Sequence, residues 1–306
     1  MKFVANIYRF EFFGLFLLAG QLVLLSLFMQ SCVREQMDDC VQYELTVSAV
    51  DTEGEDITSS GAITSIDLYL FDENGFLRII PQGSSSSNFL LGTEKDKALT
   101  LVAWGNLKSD SLILPELSVG TSLEDAKIEL LQTAAGYDLP VTDLFYSRRE
   151  ISSSTTRGVQ SDTIQLVMER LAAALSVRVS HAAEHFGSAQ SNLHIVVRGT
   201  GTSLNFLGEP SNDEAGYAPA MEQVTGEDEW VTPLFRVFPT GESDQIYIDL
   251  YQGDTFLFTI STDDGGSTLR ALPGTETYVT VDFRYSRLHI SVSVEPWEST
   301  DEDVEL

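Results

Sequence analysis

ITSIDLYLFDENGFLRII, residues 63–80, is two apolar runs set around an Asn-Gly pair. Over 63–71, Ile66, Leu68 and Leu70 fall on one face, and Asp67, Tyr69 and Phe71 on the other. This period-two alternation, rich in β-branched and aromatic residues, is that of a half-buried strand. DENG, residues 72–75, follows, and FLRII closes the stretch. Asn-Gly between apolar runs is the strongest short hairpin signal, because both turn positions are then expected at positive φ. The stretch predicts a β-hairpin.

The same signal runs outward in both directions. ALTLVAWG, residues 98–105, reads as a strand buried on both faces. Further strands are expected at 42–50, 127–131, 143–150 and 162–168. In the second half they are expected at 172–180, 193–199, 202–206, 231–238, 243–251, 255–261, 276–286 and 288–294. SLEDA, residues 122–126, predicts the start of a short helix, with Ser122 as cap and Asp125 at the capping-box position. HAAEHFG, residues 181–187, predicts a helical turn or two. PQGSSSSN (81–88) and SSSTTRG (152–158) predict exposed, protease-accessible loops, Arg157 being the site for a trypsin-like enzyme. Residues 208–229 carry seven acids and no base and predict a long solvated loop. Many short strands with frequent turn residues and few helices predict an all-β chain of sandwich type. A boundary is expected near 168–172.

The N-terminus is of another kind. FFGLFLLAGQLVLLSLF, residues 12–28, is preceded by Lys2 and Arg9. A positive start and an apolar run are the signature of an export signal. The run falls short of the ~20 apolar residues of a spanning helix, the alternative reading. It ends near Ser31-Cys32, and a small residue before Cys resembles a lipoprotein box. Cleavage before Cys32 would free its amine, and the thiol and the new amine would take acyl chains. Each buried CH₂ adds ~0.8 kcal/mol of membrane affinity, and stable anchoring takes more than one chain. Cys40 is the only other cysteine. Eight residues from Cys32, it makes a poor metal or redox motif and is expected as a free or semi-buried thiol.

The formal net charge is −28. It becomes one unit more negative once Lys2, Arg9 and Glu11 leave with residues 1–31. Nucleic-acid binding needs a basic surface and is excluded; charge attraction to anionic headgroups is excluded with it. Such a charge favours solubility and mutual repulsion.

Motifs of catalysis are weak. His181 and His185 lie four apart, but Ala182 stands where a zinc-protease helix has Glu, so both are expected as surface histidines. His194 and His289 sit singly in strand patterns. DTEGED (51–56), TDDGG (262–266) and DEDVE (301–305) match no calcium loop of alternating acids and are read as solvated turns. GTGTS (199–203) lacks the Lys and spacing of a phosphate loop. No catalytic, metal or cofactor residue is assigned, and no cofactor is expected. Of the three tryptophans, Trp104 ends a buried-strand pattern and Trp297 lies in the acidic tail. Trp230, after EDE, is the candidate ligand contact, a ring for stacking on sugars.

Four segments carry a resemblance. They are Cys32 followed by QMDDC (36–40), SIDLYLFDENGFL (65–77), LVAWGNL (101–107), and DLFYS (143–147) followed by a strand and VMERLAAALSVRV. In this order the chain resembles the FimB-like fimbrial anchor lipoproteins of Bacteroidia, which tether type V pili to the outer membrane. The resemblance implies two tandem transthyretin-like β-sandwich domains after a lipoprotein signal peptide. The expected division is signal peptide 1–31, lipidated linker 32–41, N-terminal sandwich 42–169, and C-terminal sandwich with acidic tail 170–306. It implies no enzyme activity. It also implies a surface-exposed protein of the cell outer membrane, lipidated at Cys32, with fimbrillin-type pilus subunits as partners and strand addition as the mode of joining. The alternative reading is a surface glycan-binding lipoprotein of a polysaccharide-uptake system, which predicts an exposed aromatic platform including Trp230.

Overall fold

The computed structural model describes residues 40–81, 88–94, 97–151, 162–183, 192–241, 243–284 and 288–297. The expected signal peptide 1–31, Cys32, Arg157, His185 and the acidic run 301–305 lie outside the described residues.

The hairpin read from residues 63–80 is present as β2 (Ile66–Asp72) and β3 (Gly75–Ile80). Two details differ from expectation. First, the turn is Glu73–Asn74, and of the Asn-Gly pair only Gly75 has positive φ, at 113°. The Asn74 amide donates to the Asp72 carboxylate at 2.8 Å, and the register shifts between Leu70 and Phe71. This is a two-residue turn closed by the Asp72↔Gly75 pair, followed by a bulge that leaves Leu77 of β3 unopposed. Second, β2 is buried on both faces. Leu68 and Leu70 enter one hydrophobic core, Tyr69 and Phe71 another. Alternation of two apolar sets looks half-buried when one set holds a tyrosine.

Around the hairpin lie β1 (Cys40–Val50), β4 (Asn88–Glu94), β5 (Leu99–Gly105), β8 (Phe145–Ile151) and β9 (Asp162–Arg170). The seven form one sheet in the order β3-β2-β5-β8-β9-β1-β4. All its pairs are antiparallel except β1 with β9, which run parallel from Tyr43↔Asp162 to Val50↔Glu169. The end strands approach, and the Arg78 guanidinium donates to the Gly92 carbonyl. The enclosed core holds Tyr43, Leu45, Val47 and Ala49 of β1 with Leu101, Ala103, Leu166 and Met168. Strand β5 is buried on both faces as its sequence predicts.

The second half supplies two facing sheets. One has the order β14 (Glu222–Gln223), β15 (Glu229–Val231), β10 (Ala173–Ser180), β19 (Thr275–Asp282), β20 (His289–Pro296), with β16 (Phe235–Val237) also on β10. The other is β13 (Glu214–Tyr217), β11 (Leu193–Gly201), β17 (Tyr247–Gln252), β18 (Thr255–Ile260). Val177 and Val179 of the first meet Ile195, Val197, Ile248 and Leu250 of the second in one core. The chain is therefore all-β, with sandwich packing of facing sheets.

A third, small sheet crosses between the halves: β6 (Leu112–Ile113), β7 (Lys127–Leu130) and β12 (Ser203–Asn205). It carries Phe206 onto the outer face of β2 and β5, against Tyr69, Phe71 and Trp104 at centroid distances of 4.9, 5.8 and 5.7 Å.

Three expectations are corrected. Residues 208–229 are not one solvated loop. Strands β13 and β14 lie within them, and Ala215 and Tyr217 are buried. In EAGY the acid and glycine face out and alternate with the inward pair, a strand pattern hidden by the surrounding acids. The strand expected at 231–238 is split into β15 and β16. SLEDA is a single turn: Ser122 Oγ accepts from the Asp125 amide and donates to its carboxylate, but no helix follows.

Candidate functional site

Three places on the molecule gather polar or unpartnered groups. The first is the junction where β9 passes into β10 through Leu171 and Ala172. Arg170 ends β9 with its side chain 3% exposed. Its guanidinium donates twice to the Asp143 carboxylate, at 2.7 and 3.0 Å, and once to the Trp297 carbonyl at 3.2 Å. It also lies 4.3 Å from the Trp297 ring centroid and 5.1 Å from that of Phe145. Arg236 approaches the Trp297 ring too, at 5.0 Å. A buried charge is tolerated only when it is paired and hydrogen-bonded, and this one is both. The junction is a structural lock holding the end of β20 to both halves.

The second place is a cleft of about 520 Å³ at one end of the β11–β17 sheet. Gly199, Thr200 and Gly201 line it from β11, with Ser211, Asn212, Glu214, Ser243, Asp244, Gln245 and Tyr247 around them. Backbone crowding explains the glycine: a Cβ at Gly199, whose φ is +101°, would meet the Gln245 carbonyl oxygen at 2.1 Å. Beside the cleft Arg198 donates to Asp249 at 2.6 Å and to Glu214 at 3.2 Å, and Thr259 donates to Asp249 at 2.6 Å. Burial pushes the Asp249 carboxyl up, but the hydrogen bonds from Arg198 and Thr259 outweigh it and hold the group below its ordinary value. The cleft is polar and suits a hydrophilic ligand.

The third is the side of the sandwich bounded by β18 and β20, the end strands of their sheets. Phe256 is 51% exposed and Val294 49%. Leu257, Phe258, Leu288, Ile290 and Val292 are only partly buried against the core between them. One point of the edge is closed: Asp264 donates its amide to the Ile290 carbonyl and accepts from the Ile290 amide through its carboxylate. End strands with apolar residues are where chains pair with one another.

The residues singled out from sequence do not assemble. Trp230 is only 9% exposed, so it offers no ring face to solvent. As the middle residue of β15, paired with β10 and β14, it points into the core. A large apolar ring directly after EDE turned inward because strand alternation, not the acids before it, sets its direction. Trp104 and Trp297 are buried as well. His181 Nδ1 lies 2.9 Å from the Asp282 carboxylate. His194 stacks on Tyr251 at 5.0 Å, and His289 pairs with Asp264. Cys40 opens β1 opposite Glu94. The acidic turns serve the backbone: Asp51 accepts from the amides of Glu53 and Glu55, and Asp263 from that of Ser267. Among the described residues no three His, Cys, Asp or Glu side chains converge as a metal site. Among them no helix is long and apolar enough to cross a membrane. The Arg in VMERLAAA, a lone cation at the end of a strand, is the one sequence signal for the Arg170 lock, whereas GTGTS (199–203), set aside as a phosphate loop, supplies Gly199, Thr200 and Gly201 to the cleft wall.

Comparison with known proteins gives a consistent picture. The family model described as "Fimbrillin-A associated anchor proteins Mfa1 and Mfa2" matches residues 37–303. The major fimbrium anchoring subunit FimB of Porphyromonas gingivalis is 25% identical over 278 residues, covering 87% of this chain and 90% of that protein. In fold, the chain is similar to the fimbrial anchor protein Mfa2 from Porphyromonas gingivalis. The TM-score is 0.61 at 15% identity, over 84% of this chain and 98% of that one. It is similar also to a structure from Bacteroides thetaiotaomicron titled as putative polysaccharide binding proteins. There the TM-score is 0.62 at 17% identity, again over 84% and 98%.

Proposed function

The chain belongs to the family of fimbrillin-A associated anchor proteins, and from that premise we propose that it is a structural protein that anchors or initiates a fimbrium by binding fimbrillin-type subunits, held in the outer membrane by acyl chains on Cys32. The observation that carries this is the family match over 37–303, nearly the whole chain beyond the apolar segment. The Ser31-Cys32 pair at the end of that segment supports the lipid tether. The end strands β18 and β20 are the surfaces suited to a protein partner, through main-chain pairing along an open edge.

The test is purification from detergent-solubilised outer membranes, with mass spectrometry of the co-purifying proteins and of the N-terminal peptide. Fimbrillin-type subunits and an acylated Cys32 are the expected result. A deletion strain with fimbriae of unchanged length, number and attachment would overturn the reading.

The polar cleft at Gly199–Tyr247 favours a second reading, a surface protein that binds glycans. Its one aromatic wall is Tyr247, and Trp230 takes no part. A glycan array with no bound saccharide retires this reading.

A further inference from the structure

We infer that β1 and β9 form a shear clamp that carries tension from the N-terminal tether into the second half of the molecule. The inference rests on the anchor reading, which places the membrane attachment at Cys32, just before β1. A tethered protein that holds a filament is pulled at both ends. What resists the pull depends on how the loaded strands lie relative to the force.

Strand β1 is the first strand of the described chain, so a pull toward the membrane enters at its N-terminal end. On one side it is paired with β9, in parallel, over eight residue pairs from Tyr43↔Asp162 to Val50↔Glu169. On the other side β4 pairs with it antiparallel from Cys40 to Thr46. Strand β9 leads through only Leu171 and Ala172 into β10, the strand about which a second-half sheet is built. A load borne by the second half therefore draws on β9 from its C-terminal end. Pulling one strand of a parallel pair by its N-terminus and the other by its C-terminus slides them past each other. The evenly spaced hydrogen bonds of a parallel ladder are then strained together instead of one after another.

Packing adds to the resistance. Sliding β1 out of register would drag Tyr43, Leu45, Val47 and Ala49 across the core they fill. Beyond β9 the load meets the Arg170 lock, where Asp143 and Trp297 hold the exit of the strand. The backbone is tied there as well: the Leu171 amide donates to the Leu144 carbonyl and the Gly274 amide to the Ala172 carbonyl. The parallel geometry then recurs, with β10 and β19 in register from Ala174↔Glu276 to Ser180↔Asp282.

The test is single-molecule pulling on the full chain in detergent, with Cys32→Ser and Cys40→Ser and two pairs of cysteine handles. Gln36→Cys with Ala183→Cys loads the β1–β9 ladder in shear. Gln36→Cys with Gln160→Cys pulls the same ladder apart from one end. At equal pulling rate the shear pair should rupture at about three times the force of the peeling pair or more, because eight residue pairs share the load. Equal rupture forces in the two geometries overturn the clamp.

A second arm reads the role in the cell. Thr46→Gly/Ser48→Gly weakens β1 on its outward side and should lower the shear force. A strain carrying it should keep wild-type fimbriae in still culture and shed them faster under flow. Shedding at the wild-type rate, with the shear force reduced, overturns the load-bearing role. The force ratio is read on purified protein and needs no fimbrium, so a failed clamp and a failed anchor reading give different results.

Discussion

Phe206→Ala tests whether the two halves are one cooperative body. Phe206 belongs to the second half, yet it is fully buried against Tyr69, Phe71 and Trp104 of the first sheet. Its amide donates to the Leu123 and Ala126 carbonyls, and its carbonyl accepts from Tyr146 Oη at 2.9 Å. Burial pushes the Tyr146 phenol up to about 12, so that donor stays protonated through the physiological range. Removing a buried phenyl ring costs about 3–5 kcal/mol, the transfer term plus the cavity it leaves. The site cannot easily collapse, because its walls belong to a seven-stranded sheet on one side and a strand-bound turn on the other. At about 2–4 °C per kcal/mol for a chain of this size class, the melting temperature should fall by roughly 6–20 °C. Calorimetry measures the shift, and hydrogen exchange shows where protection is lost. Exchange should rise in β2 and β5 of the first half as well as around β12. A fall of under about 2 °C, or lost protection confined to residues 203–210, would refute the coupling argued from the structure. Phe206→Leu keeps most of the volume and should cost clearly less.

Arg170→Met leaves the Asp143 carboxylate without its bidentate partner and should destabilise by about 3–5 kcal/mol in denaturant unfolding; a loss under about 1 kcal/mol would mean the lock is ornamental to the fold. Gly75→Ala places a Cβ 2.6 Å from the backbone of Gly120 and Thr121 at a φ of +113°. It should cost at least about 1–2 kcal/mol from the left-handed strain alone, seen as a lower denaturation midpoint. For pH, the folded carboxyl of Asp249 titrates below its ordinary value of 3.8. Its contribution is therefore complete above that value and is lost as pH falls below it. Wild-type stability should drop more steeply below about pH 4 than that of Asp249→Asn, and parallel acid profiles would contradict this. The three tryptophans are buried, so iodide should quench their fluorescence poorly, and oligosaccharides should leave the emission unchanged. A saccharide-induced spectral shift would return Trp230 to consideration.

How much of this is legible in the sequence differs by element. Local alternation shows β2, β3, β5, β10, β11 and β20 within a few residues, because period two is written in consecutive side chains. It fails where apolar residues are few and acids dense. Strands β13 and β14 read as loop although Ala215 and Tyr217 alternate with exposed neighbours. It also misjudges Trp230, since the acids of EDE say that the chain is near solvent there but not which way the next side chain points.

Consecutive residues and composition are enough to show that the chain is all-β, where most strands lie, that it is strongly acidic, and, through ordered motifs, the family to which it belongs. These are properties of neighbours along the chain and of composition. The rest emerges from the folded arrangement. That β1 pairs parallel with β9 joins residues more than a hundred positions apart. That Phe206 plugs the first sheet, and that Arg170 is neutralised by Asp143 while stacked on Trp297, depends on which faces meet. Pairing and facing are set by the burial of many side chains at once, a global balance that no local stretch encodes.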